Sequence, residues 1–222
     1  MSNKDEVFKV MRQILIERTG KGFVQSEVDR LDAAFEGKPS NALTARMLLE
    51  LFSHEAIVLE AYKDSENTWT VFGGLTAVSG VNPLDYKDKP ASLEVAVTKT
   101  FNRIRDKYAR EVVAAFGGRS LTEAQFAAAL SFHWNTGAIG SATWVKSFLA
   151  GNVANARLEF MNWRKPASII GRREKERDLF FDGKWTNDGR TTVLEVNKPS
   201  YYPRWSSATK VDIKPILEKL LG

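Results

Sequence analysis

Apolar residues recur at helical spacing through the first forty residues of the chain. They lie at Val7, Val10, Met11, Ile14 and Leu15. This pattern predicts a helix that Gly20 and Gly22 end. A second short helix is predicted, with Val24, Val28, Leu31 and Phe35 on one face, and residues 37–41 have the composition of a linker. We therefore predict a helical N-terminal segment over residues 1–40.

The hydrophobic pattern changes from helical to strand-like within the next thirty residues. Leu43–His54 carries apolar residues at every third or fourth position and is predicted to be a helix. From Ala61 to Phe72 strand-forming residues dominate, and a polar turn at residues 64–67 interrupts them. This arrangement predicts a small hairpin or a three-stranded sheet, followed by a loop between Pro83 and Pro90.

Helical spacing then returns and continues to residue 181. A long helix is predicted over residues 92–116, where the pair Gly117-Gly118 ends it. Thr122 and Gln125 form a capping box that begins the next helix. Further helices are predicted to begin at the N-caps Ser141 and Asn152, and a last one to cover Gly171–Phe181. Residues 41–181 are predicted to form the main domain.

The final segment, residues 182–222, differs because tryptophan and tyrosine stand among turn residues. Asn187-Asp188-Gly189 predicts a hairpin turn, and Asp212 is placed to cap a short closing helix. The aromatic residues could stack on a glycan or dock on the main domain. We favour docking, because the closing helix is short and amphipathic.

Composition excludes several classes of protein and of site. The chain has 43% hydrophobic residues, no cysteine, and only the histidines His54 and His133. Disulfides, thiolate chemistry and histidine-rich metal centres are therefore excluded, and neither a metal nor a cofactor is expected. No apolar run is long enough to span a membrane, and the N-terminus lacks the apolar core of a signal peptide. We expect synthesis in the cytoplasm.

The chain carries a net charge of +5. A basic surface suits an anionic partner such as nucleic acid, a membrane surface or a cell-wall polymer, although an ordinary soluble surface explains the charge equally well. Basic residues are concentrated in residues 157–177. They do not alternate with aromatic residues on one recognisable element, which argues against nucleic-acid binding.

Carboxylates are the remaining candidates for chemistry, because the chain has no phosphate loop and no nucleophile elbow. Glu55 is predicted at the end of an apolar helix, Asp64 at the head of a turn and Thr70 in a strand. Such elements can converge on one cleft. Glycoside hydrolysis needs an acid of raised pKa and a second, ionised carboxylate. With 27 acidic residues in the chain, this spacing alone carries little weight.

Three blocks of the central segment strengthen this interpretation. They are Glu55-x6-Tyr62-x-Asp64-x4-Trp69-Thr70, then Gln125-Phe126-x3-Leu130-x-Phe132-x2-Asn135-x-Gly137, then Gly171-Arg172-Arg173-x2-Glu176-Arg177-x-Leu179-Phe180. In order and spacing they resemble the signature of the phage-type lysozymes, glycoside hydrolase family 24. The resemblance runs through most of residues 41–181.

The resemblance implies an α+β, mostly helical, lysozyme-like fold. A small lobe with a β-sheet would be joined by the long helix to a helical lobe. The substrate would be peptidoglycan, and the bond the β-1,4 link between N-acetylmuramic acid and N-acetylglucosamine. Glu55 matches the catalytic acid, Asp64 the second carboxylate, and Thr70 the residue that helps to hold the attacking water of an inverting mechanism.

The resemblance also points to residues around the site. Thr76, Trp134 and Asn135 match positions that border the cleft and are candidates for substrate binding. His54 either tunes Glu55 or stabilises its helix end, and His133 is expected to be structural. The arginines of the third block are expected to pair with Glu174 and Glu176 at helical spacing.

The chain departs from the family pattern mainly on the hairpin. Phe72-Gly73-Gly74-Leu75 stands where Gly-Tyr-Gly-His is expected. A bulky side chain therefore replaces a glycine, and the histidine that often braces this loop is absent. Ala56 and Asn67 replace two further glycines. This departure would alter the shape of the cleft, although Glu55, Asp64 and Thr70 all remain.

These features favour an active muramidase used in phage lysis. An endolysin without its own export signal would need a holin to leave the cytoplasm for the cell wall or periplasm, whereas a virion-borne lysin would travel with the particle. A second hypothesis is a catalytically weakened peptidoglycan-binding or virion structural module. A third is a lytic transglycosylase that yields anhydro sugars. The joint retention of Glu55, Asp64 and Thr70 disfavours the binding module, and the presence of Asp64 and Thr70 argues against the transglycosylase.

Overall fold

The computed structural model describes residues 3–23 and 42–222 of the chain. The predicted second helix with Val24 and Phe35, and the linker that follows it, lie outside the described residues. Helix α1 covers Asn3–Thr19, as its apolar periodicity predicts. Within the described ranges, no helix combines the length and apolar character needed to cross a membrane.

The element that leads into the site is helix α2, Ala45–His54. Thr44 caps it by accepting a hydrogen bond from the backbone N–H of Met47 at 3.2 Å. All six residues from Met47 to Phe52 are buried, so the core surrounds the middle of the helix on every side. The backbone leaves the helix at Glu55 in an extended conformation, so the chain passes directly from helix to strand at this residue.

The first two strands form the predicted hairpin. Strand β1 covers Ala56–Lys63 and strand β2 covers Trp69–Phe72, and they pair antiparallel. Asn67 in the connecting turn has a φ of 60°, a left-handed conformation that asparagine tolerates better than most residues. Short 3-10 helices at Ala77–Ser79 and Pro83–Tyr86 follow the hairpin.

A long helical segment joins the two lobes, as the sequence predicts. It consists of helix α3, Leu93–Arg103, a π-helical turn, Ile104–Tyr108, and helix α4, Ala109–Ala115. The π-helical turn widens the hydrogen-bonding pattern without ending the helix. Apolar periodicity predicted the length of this segment and did not reveal the turn within it.

The second lobe is a bundle of four helices. They are α5, Glu123–Thr136, α6, Thr143–Leu149, α7, Val153–Phe160, and α8, Ile170–Asp182. The capping box of Thr122 and the cap of Asn152 are confirmed. The prediction for Ser141 is wrong, because Ala142 occupies the N-cap of α6. The Ser141 hydroxyl instead donates to the carbonyl of Ala138 in the preceding turn.

Aromatic side chains fill the interior of this bundle. Trp144 is fully buried and contacts the rings of Phe132, Phe160 and Phe180 at centroid distances of 4.6–5.3 Å. These are edge-on or tilted contacts, the arrangement that the quadrupole of an aromatic ring favours. They fix α8 against α5 and α7, and α8 carries charged residues of the site.

The C-terminal segment completes the sheet and does not form a separate module. Strand β3, Arg190–Val196, pairs parallel to β1, and strand β4, Pro203–Asp212, pairs antiparallel to β3. The sheet order is therefore β2-β1-β3-β4. The sequence predicted a sheet from the hairpin region alone, because a parallel pairing across more than a hundred residues leaves no local signal.

The closing helix α9, Lys214–Leu221, docks on the core as favoured from the sequence. Leu217 and Ile213 are fully buried, and the backbone N–H of Lys214 donates to Asp212 at 2.8 Å. The predicted hairpin turn at Asn187-Asp188-Gly189 is wrong. This turn leads into β3, and the connection between β3 and β4 lies at residues 197–202.

A buried carboxylate on α2 holds the beginning of the C-terminal segment. Glu50 is 1% exposed and accepts hydrogen bonds from the backbone N–H and side chain of both Thr186 and Asn187, at 2.6–3.2 Å. Burial by itself would raise the pKa of Glu50, but these bonds and the nearby His54 stabilise its charge and lower the pKa to about 2.

We expect Glu50→Gln to lower the free energy of unfolding by about 3 kcal/mol at pH 7. A carboxyl whose pKa is depressed on folding stabilises the protein above its unfolded pKa, and loses this effect as pH falls through the folded value. The gap between wild type and variant should therefore shrink from pH 5 towards pH 2. Urea unfolding across this range measures it, with Glu174→Gln at an exposed carboxylate as control. A gap that does not change with pH would contradict this account.

Candidate active site

Glu55 is placed by the junction between helix α2 and strand β1. Its side chain is 22% exposed, so most of the carboxyl is removed from water. The nearest cation is Arg172 on α8, whose Nη1 donates to Glu55 Oε1 at 2.5 Å. The acid predicted from the helix end is therefore in contact with an arginine from the other lobe.

The guanidinium of Arg172 connects Glu55 to the helical lobe. Its Nε donates to Glu176 Oε1 at 2.9 Å, and its Nη2 donates to the carbonyl and hydroxyl of Ser131 at 3.1 and 3.2 Å. The predicted helical pairing with Glu176 is confirmed. The contact with Glu55 was missed, because helical spacing reveals only partners on the same helix.

A second arginine, Arg173, stabilises the Glu176 carboxylate from the protein interior. Arg173 is fully buried, pairs with Glu176, and donates from Nη2 to Asn135 Oδ1 at 2.6 Å. Its guanidinium lies 4.7 Å from the centroid of the Phe132 ring. Each charge in this buried group thus has an opposite charge or a hydrogen-bond partner, as buried ions require.

The prediction for the third arginine of this block is wrong. Arg177 pairs with its neighbour Asp178 at 2.8 Å instead of with Glu174 or Glu176. Glu176 is occupied by Arg172 and Arg173 in the protein interior, and Glu174 lies on the exposed side of α8. Helical spacing shows which residues Arg177 can reach on its own helix, but it does not show which face of that helix is buried.

Burial is the main influence on the acidity of Glu55 and raises its pKa. Arg172 lowers the pKa by attraction and hydrogen bonding, the charge of Glu176 raises it, and His54 lowers it slightly. The net direction is upward. The group is thus suited to hold a proton where an ordinary glutamate would have lost it, as a general acid must.

Asp64 and Thr70 lie together at the turn between β1 and β2. Asp64 Oδ1 accepts hydrogen bonds from the backbone N–H groups of Glu66 and Thr68, at 3.0 and 2.9 Å. Thr70 Oγ1 lies 3.3 Å from Asp64 Oδ2 and 3.1 Å from the carbonyl of Thr68. These contacts fix the orientation of both groups and leave acceptor positions for a water molecule.

Tyr62 is close enough to both carboxyl groups to feel their charges. Burial raises the pKa of its phenol, and the charges of Glu55 and Asp64 raise it further. Tyr62 also lies opposite Thr70 across the two strands. The charges of Glu55 and Asp64 thus both act on Tyr62, and Thr70 is its cross-strand neighbour.

The altered hairpin is accommodated inside the protein. Phe72 adopts a left-handed φ of 59°, which costs a bulky residue roughly 1–3 kcal/mol. Its side chain is fully buried and packs edge-on against Tyr86, with 4.7 Å between the ring centroids. Gly73 lies so close to Thr100 that a Cβ would come within 2.9 Å of it. Because the Phe72 ring is buried in the core, it does not project into a surface cleft.

The three residues predicted to bind substrate differ in their surroundings. Thr76 is half-buried at the start of a 3-10 helix. Trp134 is half-buried against Tyr108, with 4.7 Å between the ring centroids. Asn135 is largely exposed, although its side-chain oxygen accepts the bond from Arg173. Their roles in binding stay predictions.

The two histidines occupy separate environments. His54 is mostly buried, with Nε2 3.6 Å from Glu50. His133 contacts Glu111 at 2.6 Å through Nε2, and its Nδ1 accepts the backbone N–H of Ile139 at 3.4 Å. Burial lowers the pKa of His133 against the opposing effect of Glu111. Both ring nitrogens of His133 have partners, which agrees with the expected structural role.

Comparison with known proteins places this site within a family. A family model described as phage lysozyme matches residues 52–176, which include every residue of the site from Glu55 to Glu176. The endolysin of Bacillus phage B103 is 38% identical over 79 residues, which are 32% of this chain and 30% of that protein. The chain thus matches less than a third of the length of this curated relative.

Solved structures support the two-lobed fold. An endolysin from Escherichia coli O157:H7 phage FAHEc1 has a TM-score of 0.53 at 22% identity, covering 65% of this chain and 96% of that one. The muramidase domain of SpmX from Asticaccaulis excentricus has a TM-score of 0.50 at 23% identity, covering 62% and 95%. The lysozyme-like fold expected from the sequence is confirmed.

We expect Arg172→Gln to raise the pKa of Glu55 further, because the variant removes the cation that favours its charged form. It should also lower the free energy of unfolding by roughly 3 kcal/mol, since buried carboxylates lose their partner. A ¹³C NMR titration of the Glu55 carboxyl and urea unfolding measure the two effects. Arg177→Gln removes the pair with Asp178 on the same helix and serves as control. A Glu55 pKa that stays the same or falls would overturn this assignment.

Proposed function

The chain belongs to the phage lysozyme family, and from this premise we propose that it is a muramidase. It would hydrolyse the β-1,4 bond between N-acetylmuramic acid and N-acetylglucosamine in peptidoglycan. The observation that carries the proposal is the pair of unlike carboxyl groups around Tyr62. Glu55 is mostly buried and has a raised pKa, while Asp64 is held at an open turn by backbone N–H groups and Thr70. Two carboxyl groups in such different surroundings suit one acid and one base.

Glu55 acts as the general acid in this mechanism. Burial favours the protonated form of this carboxyl, which donates its proton to the glycosidic oxygen as the bond to the leaving sugar breaks. Arg172 holds the carboxyl in place at 2.5 Å and stabilises the carboxylate that the transfer leaves behind. The arginine therefore positions the acid and limits how far burial raises its pKa.

Asp64 and Thr70 act on the attacking water. The Asp64 carboxylate accepts a proton from a water molecule on the opposite face of the sugar, and the Thr70 hydroxyl helps to orient that water. Attack from this face inverts the anomeric configuration. The fixed turn suits this role, because a rigid base loses less entropy when water and sugar are brought together.

We further propose that the enzyme serves phage lysis from inside the host cell. The names of its relatives support this role, since two of them are described as phage endolysins. In this role the enzyme would be made in the cytoplasm and reach the wall after a holin opens the membrane. A virion-borne lysin remains the alternative, and co-purification with phage particles would distinguish it.

We expect wild type to release reducing muropeptides from purified Gram-negative sacculi. Glu55→Gln should lower the rate by roughly 10²- to 10⁴-fold, because it removes the acid while keeping the shape of the side chain. Glu218→Gln, at an exposed carboxylate of α9, should leave the rate unchanged. The assay is the reducing-end titre, with mass spectrometry of the products.

The alternatives give different products. Anhydromuramic ends as the main product would indicate a lytic transglycosylase and overturn hydrolysis. A folded wild type that binds sacculi without releasing reducing ends would instead support the catalytically weakened binding module. The buried orientation of Phe72 argues against that module, because the hairpin departure leaves Asp64 and Thr70 in contact.

A further inference from the structure

The C-terminal segment contacts the backbone on both sides of the active site. The matched family region ends at residue 176, so strands β3 and β4 lie beyond it. Among its polar contacts with the rest of the chain, one set lies near Glu55 at one end of β1 and another lies near Asp64 at the other end.

At the first end, Thr191 binds the terminus of helix α2. It is fully buried, and its hydroxyl lies 2.8 Å from the carbonyl of Phe52 and 3.2 Å from the carbonyl of Glu55. The last carbonyls of a helix lack partners within the helix and must find them elsewhere. The Thr191 hydroxyl has one proton to donate, and its shorter contact is to the carbonyl of Phe52, with the carbonyl of Glu55 within reach of the same hydroxyl.

The pairing of β3 with β1 continues from this point. Thr192, Val193 and Leu194 lie opposite Ala56, Ile57 and Val58 in the parallel ladder. The ladder therefore begins at the residue directly after Glu55. The backbone on both sides of Glu55 is therefore bonded to the C-terminal segment. Thr191 contacts the end of helix α2 before Glu55, and β3 pairs with β1 after it.

At the second end, the loop between β3 and β4 reaches the turn that carries Asp64. The backbone N–H of Lys63 donates to the carbonyl of Tyr201 at 2.8 Å, and the Tyr201 ring meets Trp69 edge-on at 5.2 Å. Lys63 precedes Asp64 and Trp69 precedes Thr70. The Tyr201 hydroxyl is in turn held by Asp88 at 2.9 Å, which anchors the loop.

We propose that residues 186–201 are a positioning part of the active site, with Thr191 as the positioning residue for Glu55. The inference rests on the proposed muramidase function. Thr191 touches no reacting atom. It acts by holding the backbone from which Glu55 projects, so that the carboxyl keeps its place beside Arg172.

The expected effect follows from the geometry of proton transfer. A displacement of about 1 Å between an acid and the atom that it protonates can lower the rate by up to about 100-fold. Sugar binding depends on the remaining cleft and should change little. Loss of the Thr191 hydroxyl should therefore lower kcat and leave KM nearly unchanged. Because a smaller folded fraction would also lower the apparent kcat, the folded fraction is measured under assay conditions and kcat is expressed per folded molecule.

The test compares Thr191→Val, Thr191→Ser and Thr209→Val. Valine keeps the shape of threonine and removes the hydroxyl, serine keeps the hydroxyl, and Thr209 is an exposed threonine on β4. We expect Thr191→Val to lower kcat roughly 10- to 100-fold, and Thr191→Ser to restore most of it. Thr209→Val should match wild type. Equal kcat values for the two valine variants would overturn the proposal.

The pH profile gives a second readout. The charged and titratable groups that act on Glu55 are His54 from α2, Tyr62 from β1, and Arg172 and Glu176 from α8. If the helix end loosens, water reaches Glu55 and its contact with Arg172 weakens. The first change lowers the pKa of Glu55 and the second raises it, and the first prevails because burial is the larger of the two influences. The alkaline limb of kcat should therefore move to lower pH in Thr191→Val. An unmoved limb would assign Thr191 a structural role only.

Failure of this inference can be told apart from failure of the proposed function. If wild type itself is inert on sacculi, the muramidase assignment fails, and the Glu55 pKa is then compared by ¹³C NMR in wild type and Thr191→Val. A lowered Glu55 pKa in Thr191→Val supports the positioning role, and an equal pKa overturns it.

If Thr191→Val does not fold, Thr191→Cys takes its place in the test, since a thiol is of similar size to the hydroxyl and is a weaker hydrogen-bond donor.

Discussion

The burial of Glu55 beside Arg172 is the interaction on which the site depends. A carboxyl removed from water tends to hold its proton, whereas an adjacent guanidinium favours its loss. The protein balances the two by sharing Arg172 between Glu55 and Glu176, so that one cation serves two acids. Arg173 then supports Glu176 from the interior. The aromatic packing of the helical lobe fixes α8, and so sets where this cation meets the small lobe.

Helix α2 carries the acid and is held by polar contacts at two levels. Glu50 in its middle accepts four hydrogen bonds from Thr186 and Asn187, and its terminal carbonyls receive the hydroxyl of Thr191. Both sets of contacts come from the segment beyond the matched family region. The same segment reaches Lys63 beside Asp64. The groups that hold the C-terminal segment therefore also contact the backbone beside Glu55 and Asp64.

The hairpin shows how a departure from a family motif can be absorbed. A bulky phenylalanine in place of a glycine suggested a changed cleft. Phe72 has a left-handed φ that is strained for a bulky residue, and burial of its ring against Tyr86 offsets the strain. The sequence shows that the substitution is present but not where the side chain points. In the structure the Phe72 ring points into the core and not towards the cleft.

The sequence by itself determined what depends on nearby residues. Apolar spacing located most of the helices, local caps such as Thr122 and Asn152 set their starts, and one motif singled out Glu55, Asp64 and Thr70 as candidates. Only the tertiary structure decided the contact of Arg172 with Glu55, the parallel pairing of β3 with β1 and the bonds from Thr191. Helical periodicity and capping depend on residues three or four positions apart, so a short stretch of sequence is enough to predict them. Contacts across more than a hundred residues depend on which faces pack together, and no local pattern encodes that choice.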